Sequence, residues 1–204
     1  MFAKAFSATV FALAAGLSMQ IHTASAETQT AIFAGGCFWC VESDFDAVPG
    51  VTSTISGYIG GTSENPTYQS HTADGHREAV KIDYDDAQVS YAKLLDVFWH
   101  SVDPTDGEGQ FCDRGHSYTT AIYAVDKDDL AAAEKSKAEI AGVLGQAIAT
   151  DIAAAPAFWP AEDYHQGYYQ KNPIRYKYYR NGCGRDARLE EVWGEAALQG
   201  IPGH

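Results

Sequence analysis

Cys37 stands in Ala34-Gly35-Gly36-Cys37-Phe38-Trp39-Cys40, between the apolar-alternating run Thr30-Ala31-Ile32-Phe33 and a segment patterned as a helix. A thiol at a strand-to-helix turn meets the unpaired N–H groups and the positive dipole end of the helix, which lower its pKa and favour nucleophilic thiolate chemistry. Gly35 and Gly36 leave the backbone before it unhindered, which a plain core cysteine does not need. Glu78, in Gly75-His76-Arg77-Glu78, places a carboxylate at the start of a strand. As a solvated strand end it would be inert; facing Cys37 among aromatic rings it would be desolvated, keep its proton and act as a general acid. Asp113 and Tyr118 lie together in Cys112-Asp113-Arg114-Gly115-His116-Ser117-Tyr118, and Tyr68 ends Asn65-Pro66-Thr67-Tyr68. These tyrosines offer hydroxyl donors without a charged base, although with twelve in the chain packing is the default for most.

The elements that must position these residues follow from periodicity and punctuation. A helix is predicted over residues 37–46, a Pro49-Gly50 turn, and a strand over 51–58. The Gly- and Ser-containing stretch 60–75 reads as a long loop, and 78–84 alternates as a strand. Ser90 is the expected N-cap of a helix whose Tyr91, Leu94, Leu95 and Phe98 share one face, ending at Asp103-Pro104. A second polar loop covers 105–117, a strand 118–125, and a helix capped by Asp126 or Asp128 runs to about Leu144, with Gly145 as its stop. A strand over 146–152, the Pro-bounded Phe158-Trp159-Pro160, a short helix over 162–171 and a loop-rich, flexible tail from about 174 complete the chain. Strands and helices alternate without demanding an all-parallel sheet, so the expected class is α+β, a mixed sheet with helices packed on it as a two-layer sandwich.

With 204 residues the chain can build one core unaided. Lys4, the apolar run from Ala8 to Leu17 and Ala24-Ser25-Ala26 have the three parts of a secretory signal, so cleavage after Ala26 and a single catalytic domain over 27–204 are expected, exported to the periplasm. The 27 acidic residues outnumber the 14 basic ones, which argues against nucleic acid or an anionic membrane as a general partner. In an oxidising compartment the four cysteines Cys37, Cys40, Cys112 and Cys183 admit structural disulfides as readily as redox chemistry for the latter two. The Cys37-x-x-Cys40 spacing also fits a thioredoxin-like disulfide oxidoreductase, and the four thiols together a zinc-binding module.

The ordered set Gly36-Cys37-Phe38-Trp39, Val48-Pro49-Gly50-Val51, Ser56-Gly57-Tyr58-Ile59-Gly60-Gly61, Asn65-Pro66-Thr67-Tyr68, Gly75-His76, Glu78-Ala79-Val80, Phe98-Trp99, Asp103-Pro104, Ala121-Ile122-Tyr123 and Ala161-Glu162-Asp163-Tyr164-His165-Gln166 resembles the peptide methionine sulfoxide reductase A family. The resemblance spans Ile32 to about Pro173. It implies that Cys37 attacks the sulfur of S-methionine sulfoxide, that Glu78 protonates the oxygen, and that Tyr68 and Tyr118 hydrogen-bond it. Phe38 and Trp39 would hold the methyl group, and Asp113 would organise the thiol and water network. Cys37 would become a sulfenic acid and then a disulfide. Cys183, in Asn181-Gly182-Cys183-Gly184, resembles the family's C-terminal resolving cysteine and is the favoured partner, with Cys40 second, although many relatives carry Gly at the position of Cys40. The implied electron source is an external thioredoxin-like thiol reductant, with no bound cofactor and no metal.

Overall fold

The computed structural model describes residues 28–203 together with Met1; the segment expected as a secretory signal, Met1 apart, lies outside the described residues. β1 (Thr28–Ala34) leads through Gly35-Gly36 into α1 (Phe38–Asp46), then β2 (Val51–Ile59) and β3 (Arg77–Asp85). After α2 (Tyr91–His100) come the short β4 (Gly109–Gln110) and β5 (Asp113–Arg114), a 3-10 turn at His116–Tyr118 and β6 (Ala121–Ala124). α3 (Lys127–Leu144), β7 (Asp151–Ala154), β8 (Phe158–Pro160), α4 (Tyr168–Lys171), α5 (Pro173–Gly182) and α6 (Arg185–Trp193) follow.

The main sheet has the order β7-β6-β1-β3-β2-β8, antiparallel throughout except for the parallel β6–β7 pair, while β4 and β5 form a separate ribbon. Alternation in β1 decides its faces: Ala31 and Phe33 join the large core, whereas Ile32 and Ala34 join a smaller cluster with Ile59, Ala79 and Tyr123. Phe33 meets Phe45 of α1 and Phe98 of α2 at ring-centroid distances of 5.3 and 5.0 Å, which fixes both helices on that face. The expected α+β architecture with a mixed sheet and packed helices is therefore the one found.

The helix ends follow local chemistry. Ser90 accepts from the Lys93 N–H at 3.2 Å, Asp126 accepts from Asp128 and Asp129, and Gly145 closes α3 in the left-handed conformation at φ 62°. Three expectations are corrected. Tyr118 sits in a 3-10 turn ahead of its strand, because the Tyr118 and Thr119 N–H groups bond back to Gly115 and His116. The strand expected over 146–152 forms only from Asp151, where pairing with β6 begins. The region from about 174, expected as a loop-rich tail, carries α5 and α6, whose Tyr176, Arg180, Arg185, Leu189 and Trp193 are buried. Among the described residues, no helix is long and apolar enough to cross a membrane.

Candidate active site

The turn from β1 to α1 delivers Cys37 as the N-cap of α1, with Gly36 at φ 85° just before it. A side chain on Gly36 would put its Cβ 2.7 Å from that of Gln110, so glycine serves both the turn and the close approach. The N-cap position matches the sequence reading, but the protonation state does not. Cys37 is 7% exposed, and burial pushes its thiol well above its ordinary range, helped by its hydrogen bond to Cys40 and by Glu78.

β3 brings Glu78 to the same place, opposite Tyr58 in the β2–β3 register. Its Oε2 accepts from the Phe38 N–H at 2.9 Å, and burial lifts the carboxyl from 4.5 to about 8, so it is protonated at neutral pH. The Nε2 of His71 stands 3.8 Å from Oε1; this ring bonds the Tyr68 carbonyl through Nδ1 at 2.8 Å and stacks on Tyr58. The Tyr68 N–H is held by Glu162 at 3.0 Å, and the Tyr58 hydroxyl donates to the same carboxylate at 2.9 Å. Tyr68 and Tyr118 hydrogen-bond each other and are pushed above the ordinary phenol range by burial.

Cys37, Phe38, Trp39, Tyr68, Glu78, Asp113 and Tyr118 all line one cavity of about 60 Å³, together with Tyr179. Trp39 is clamped by a 3.7 Å parallel stack on Tyr168 and donates its indole N–H to His165 Nδ1 at 3.0 Å. Tyr179 went unassigned in the sequence because α5 read as tail. Its hydroxyl bonds Asp113 and contacts Cys37, while burial holds the Asp113 carboxyl above its ordinary value. Nothing in the local sequence marks it, since the contacts span 66 residues to Asp113.

The cysteines divide into two pairs. Cys112 and Cys183 form a disulfide with Cα atoms 4.9 Å apart, and Cys37 and Cys40 are free thiols hydrogen-bonded to each other. In this state Cys40 and not Cys183 is brought against Cys37, whereas the favoured pairing in the sequence was Cys37 with Cys183. The four thiols also do not converge as a zinc ligand set.

The family model for peptide methionine sulfoxide reductase matches residues 29–197. The chain belongs to that family. It is thus an oxidoreductase acting on sulfur, and its membership of this family, rather than that class, sets aside the disulfide-oxidoreductase and zinc-module readings. The peptide methionine sulfoxide reductase MsrA 2 of Rhizobium meliloti (strain 1021) is 59% identical over 179 residues, covering 87% of this chain and 89% of that protein. MsrA of Bacillus subtilis (strain 168) is 48% identical over 174 residues, covering 83% and 98%. Among solved structures, methionine sulfoxide reductase A of Corynebacterium diphtheriae superposes with a TM-score of 0.66 at 32% identity, covering 72% of this chain and 76% of that one.

Proposed function

We propose that this enzyme reduces the S epimer of methionine sulfoxide, free or in oxidised proteins, and so repairs oxidised methionine. The observation that carries the reading is a protonated, buried Glu78 and a nucleophilic sulfur, Cys37, lining the same aromatic-walled cavity. The sulfoxide methyl group packs against Phe38 and Trp39, and its oxygen faces Glu78, Tyr68 and Tyr118. Cys37 attacks the sulfoxide sulfur while the Glu78 proton passes to the oxygen, and the two hydroxyls stabilise the charge that develops there. Methionine leaves and Cys37 remains as a sulfenic acid. Asp113, bonded to Tyr179, orients that hydroxyl at Cys37.

The sulfenic acid is then attacked by a second thiol. Cys40 is the free thiol already against Cys37, which supports it as the resolving residue; Cys183 resolves only if the Cys112–Cys183 bond first opens. A thioredoxin-like thiol reductant restores the pair by exchange, with no bound cofactor. Export to the periplasm, inferred from the leader sequence, would require that donor outside the cytoplasm. Activity on S- and R-methionine sulfoxide with a dithiol reductant tests the reaction: turnover confined to the S epimer and abolished by Cys37→Ser is expected, and retained activity in Cys37→Ser ends the proposal. Peptide mapping after one turnover without reductant should find a Cys37–Cys40 bond; a Cys37–Cys183 bond would return the resolving role to Cys183.

A further inference from the structure

Glu78 gives its proton at a place that bulk solvent does not reach. It is 2% exposed, and the cavity in front of it, about 60 Å³, is small enough for a methyl sulfoxide group to fill. The sulfoxide oxygen needs two protons there, one as Cys37 attacks and another as the sulfenic oxygen leaves when the second thiol displaces it. One carboxyl group holds one proton. The acid must therefore be recharged between the two steps, while the product or the sulfenic oxygen still occupies the cavity.

A second buried polar group meets Glu78 from outside the cavity lining. His71 is 2% exposed, and its Nε2 stands 3.8 Å from Glu78 Oε1, the oxygen left over once Oε2 accepts the Phe38 N–H. The ring is held in place by its surroundings. It stacks on Tyr58 with centroids 4.8 Å apart and planes at 21°, and its backbone N–H bonds the Thr67 carbonyl at 2.9 Å. Nδ1 lies 2.8 Å from the Tyr68 carbonyl, which can only accept, so Nδ1 carries the ring proton and Nε2 presents a lone pair. The Thr72 hydroxyl lies 3.2 Å from Nε2 and accepts a hydrogen bond from the Ser117 hydroxyl at 3.2 Å, which leaves its own proton for the ring. Thr72 is exposed. Solvent, hydroxyl, imidazole and carboxyl thus stand in file from the surface to the buried acid.

We propose that His71 recharges Glu78, passing it a proton taken from solvent through the Thr72 hydroxyl after the first proton has gone to the sulfoxide oxygen. The inference rests on the sulfoxide-reductase reading above. With both groups neutral, 3.8 Å is no hydrogen bond. Burial holds the His71 ring below its ordinary pKa, outweighing its hydrogen bond to Tyr68 and the charge of Glu162, and His76 adds to the lowering. The resting imidazole is therefore neutral, with Nε2 open to a proton. The carboxylate formed when Glu78 reacts reverses that balance, because an opposite charge beside the ring favours the imidazolium and draws its Nε2–H onto Oε1. The Thr72 O–H bond breaks as Nε2–H forms and water restores the hydroxyl; Nε2–H then breaks as Oε1–H forms. Two protons reach the departing water through Glu78, the two thiols that become the disulfide release two to solvent, and those thiols supply the two electrons. His71 meets no reacting atom; it is a positioning residue that acts through Glu78 by placing a proton on it.

Glu78 starts with its proton, so the first methionine does not need His71, whereas closure of the disulfide does. Rapid-quench single turnovers without reductant, with methionine and remaining thiols counted in the same samples, are compared in wild type, His71→Asn, Thr72→Val and Thr72→Ser. Asparagine keeps a donor for the Tyr68 carbonyl and lacks Nε2. His71→Asn should release methionine at the wild-type rate and form the disulfide about 100-fold more slowly, the lower end of what a general acid contributes. The Cys37 sulfenic acid should accumulate meanwhile, trapped by a carbon nucleophile. Thr72→Val, at an exposed position, should slow the same step, and Thr72→Ser should restore it. Equal slowing of both steps in His71→Asn means that the ring only holds Glu78 or Tyr68 in place, and overturns the relay. A disulfide step at the wild-type rate in His71→Asn or in Thr72→Val overturns it too, and the Thr72 pair decides alone if His71→Asn does not fold. Wild type yielding one methionine per chain keeps the sulfoxide-reductase reading intact in every case, and wild type yielding none defeats that reading instead.

Discussion

The Tyr179 hydroxyl donates to the Asp113 carboxylate one residue from Cys112, while Cys183, one helical turn after Tyr179, is bonded to Cys112. The hydrogen bond and the disulfide run side by side and tie α5 to β5 over the cavity. One places a hydroxyl against Cys37, and the other holds the helix that carries it.

Tyr179→Phe keeps the ring packed edge-on against Trp39 and removes only the hydroxyl. The lost hydrogen bond favours the Cys37 thiolate, so its removal moves the rising limb of the pH–rate profile upward. A hydrogen bond to a charged group is worth roughly 1.5–3 kcal/mol, which gives at least about a tenfold loss in kcat with little change in KM. Steady-state kinetics with a dithiol reductant checks this; an unchanged profile would remove Tyr179 from the thiol chemistry.

Glu78 should make activity fall as pH rises through about 8, where the buried carboxyl loses its proton. Glu78→Gln should cost on the order of 10²- to 10⁴-fold in methionine formation, flat in pH over that limb.

The same group predicts a stability slope. Folded, Glu78 keeps its proton to about 8; unfolded, it releases it near 4.5. Between those values the unfolded chain binds fewer protons, so stability is greatest below the lower one and declines toward the higher, by roughly 3–5 kcal/mol. Urea unfolding of wild type and Glu78→Gln at both ends of the window should show a smaller decline in the variant, and parallel declines would refute it.

Cys112→Ser opens a loop of sequence separation 71 and should lower unfolding free energy by about 4 kcal/mol. Turnover with a small dithiol should persist, since Cys37 and Cys40 are untouched. Differential scanning calorimetry and a dithiol assay on the same preparation separate the two effects.

Gly36→Ala places a methyl group where Gln110 already sits, on a backbone with φ 85°. Strain of about 1–3 kcal/mol is expected, and because Cys37 is the next residue, activity should fall further than stability. Chemical denaturation alongside single-turnover rates measures both.

The sequence carried the centre of the fold and most of the cavity wall for physical reasons. β3 alternates apolar and polar residues, β1 ends in the continuous apolar run Ala31-Ile32-Phe33-Ala34 of a strand buried on both faces, Ser90 and Gly145 mark helix ends, and the lining residues from Cys37 to Tyr118 sit in recognisable local motifs. α5 and α6 were illegible because much of what they bury is polar: Arg180 and Arg185 stand where an amphipathic stripe would need aliphatic residues. The Cys37 proton was misread for a related reason. A helix start is visible in sequence, but the burial that raises the Cys37 thiol comes from a cavity wall whose residues extend to Tyr179. β7 was displaced because an exposed edge strand has its limits set by its neighbour, β6.

The sheet places β1 at its middle, and its edges come from β7 and β8. Growth from the ribosome therefore lays down the interior of the sheet first and its margins later. Tyr179, which completes the lining of the cavity around Cys37, emerges after every strand has been made. The last wall of the cavity around Cys37 is therefore synthesised only after the whole sheet, and the helix that follows it adds Leu189 and Trp193 to the main core.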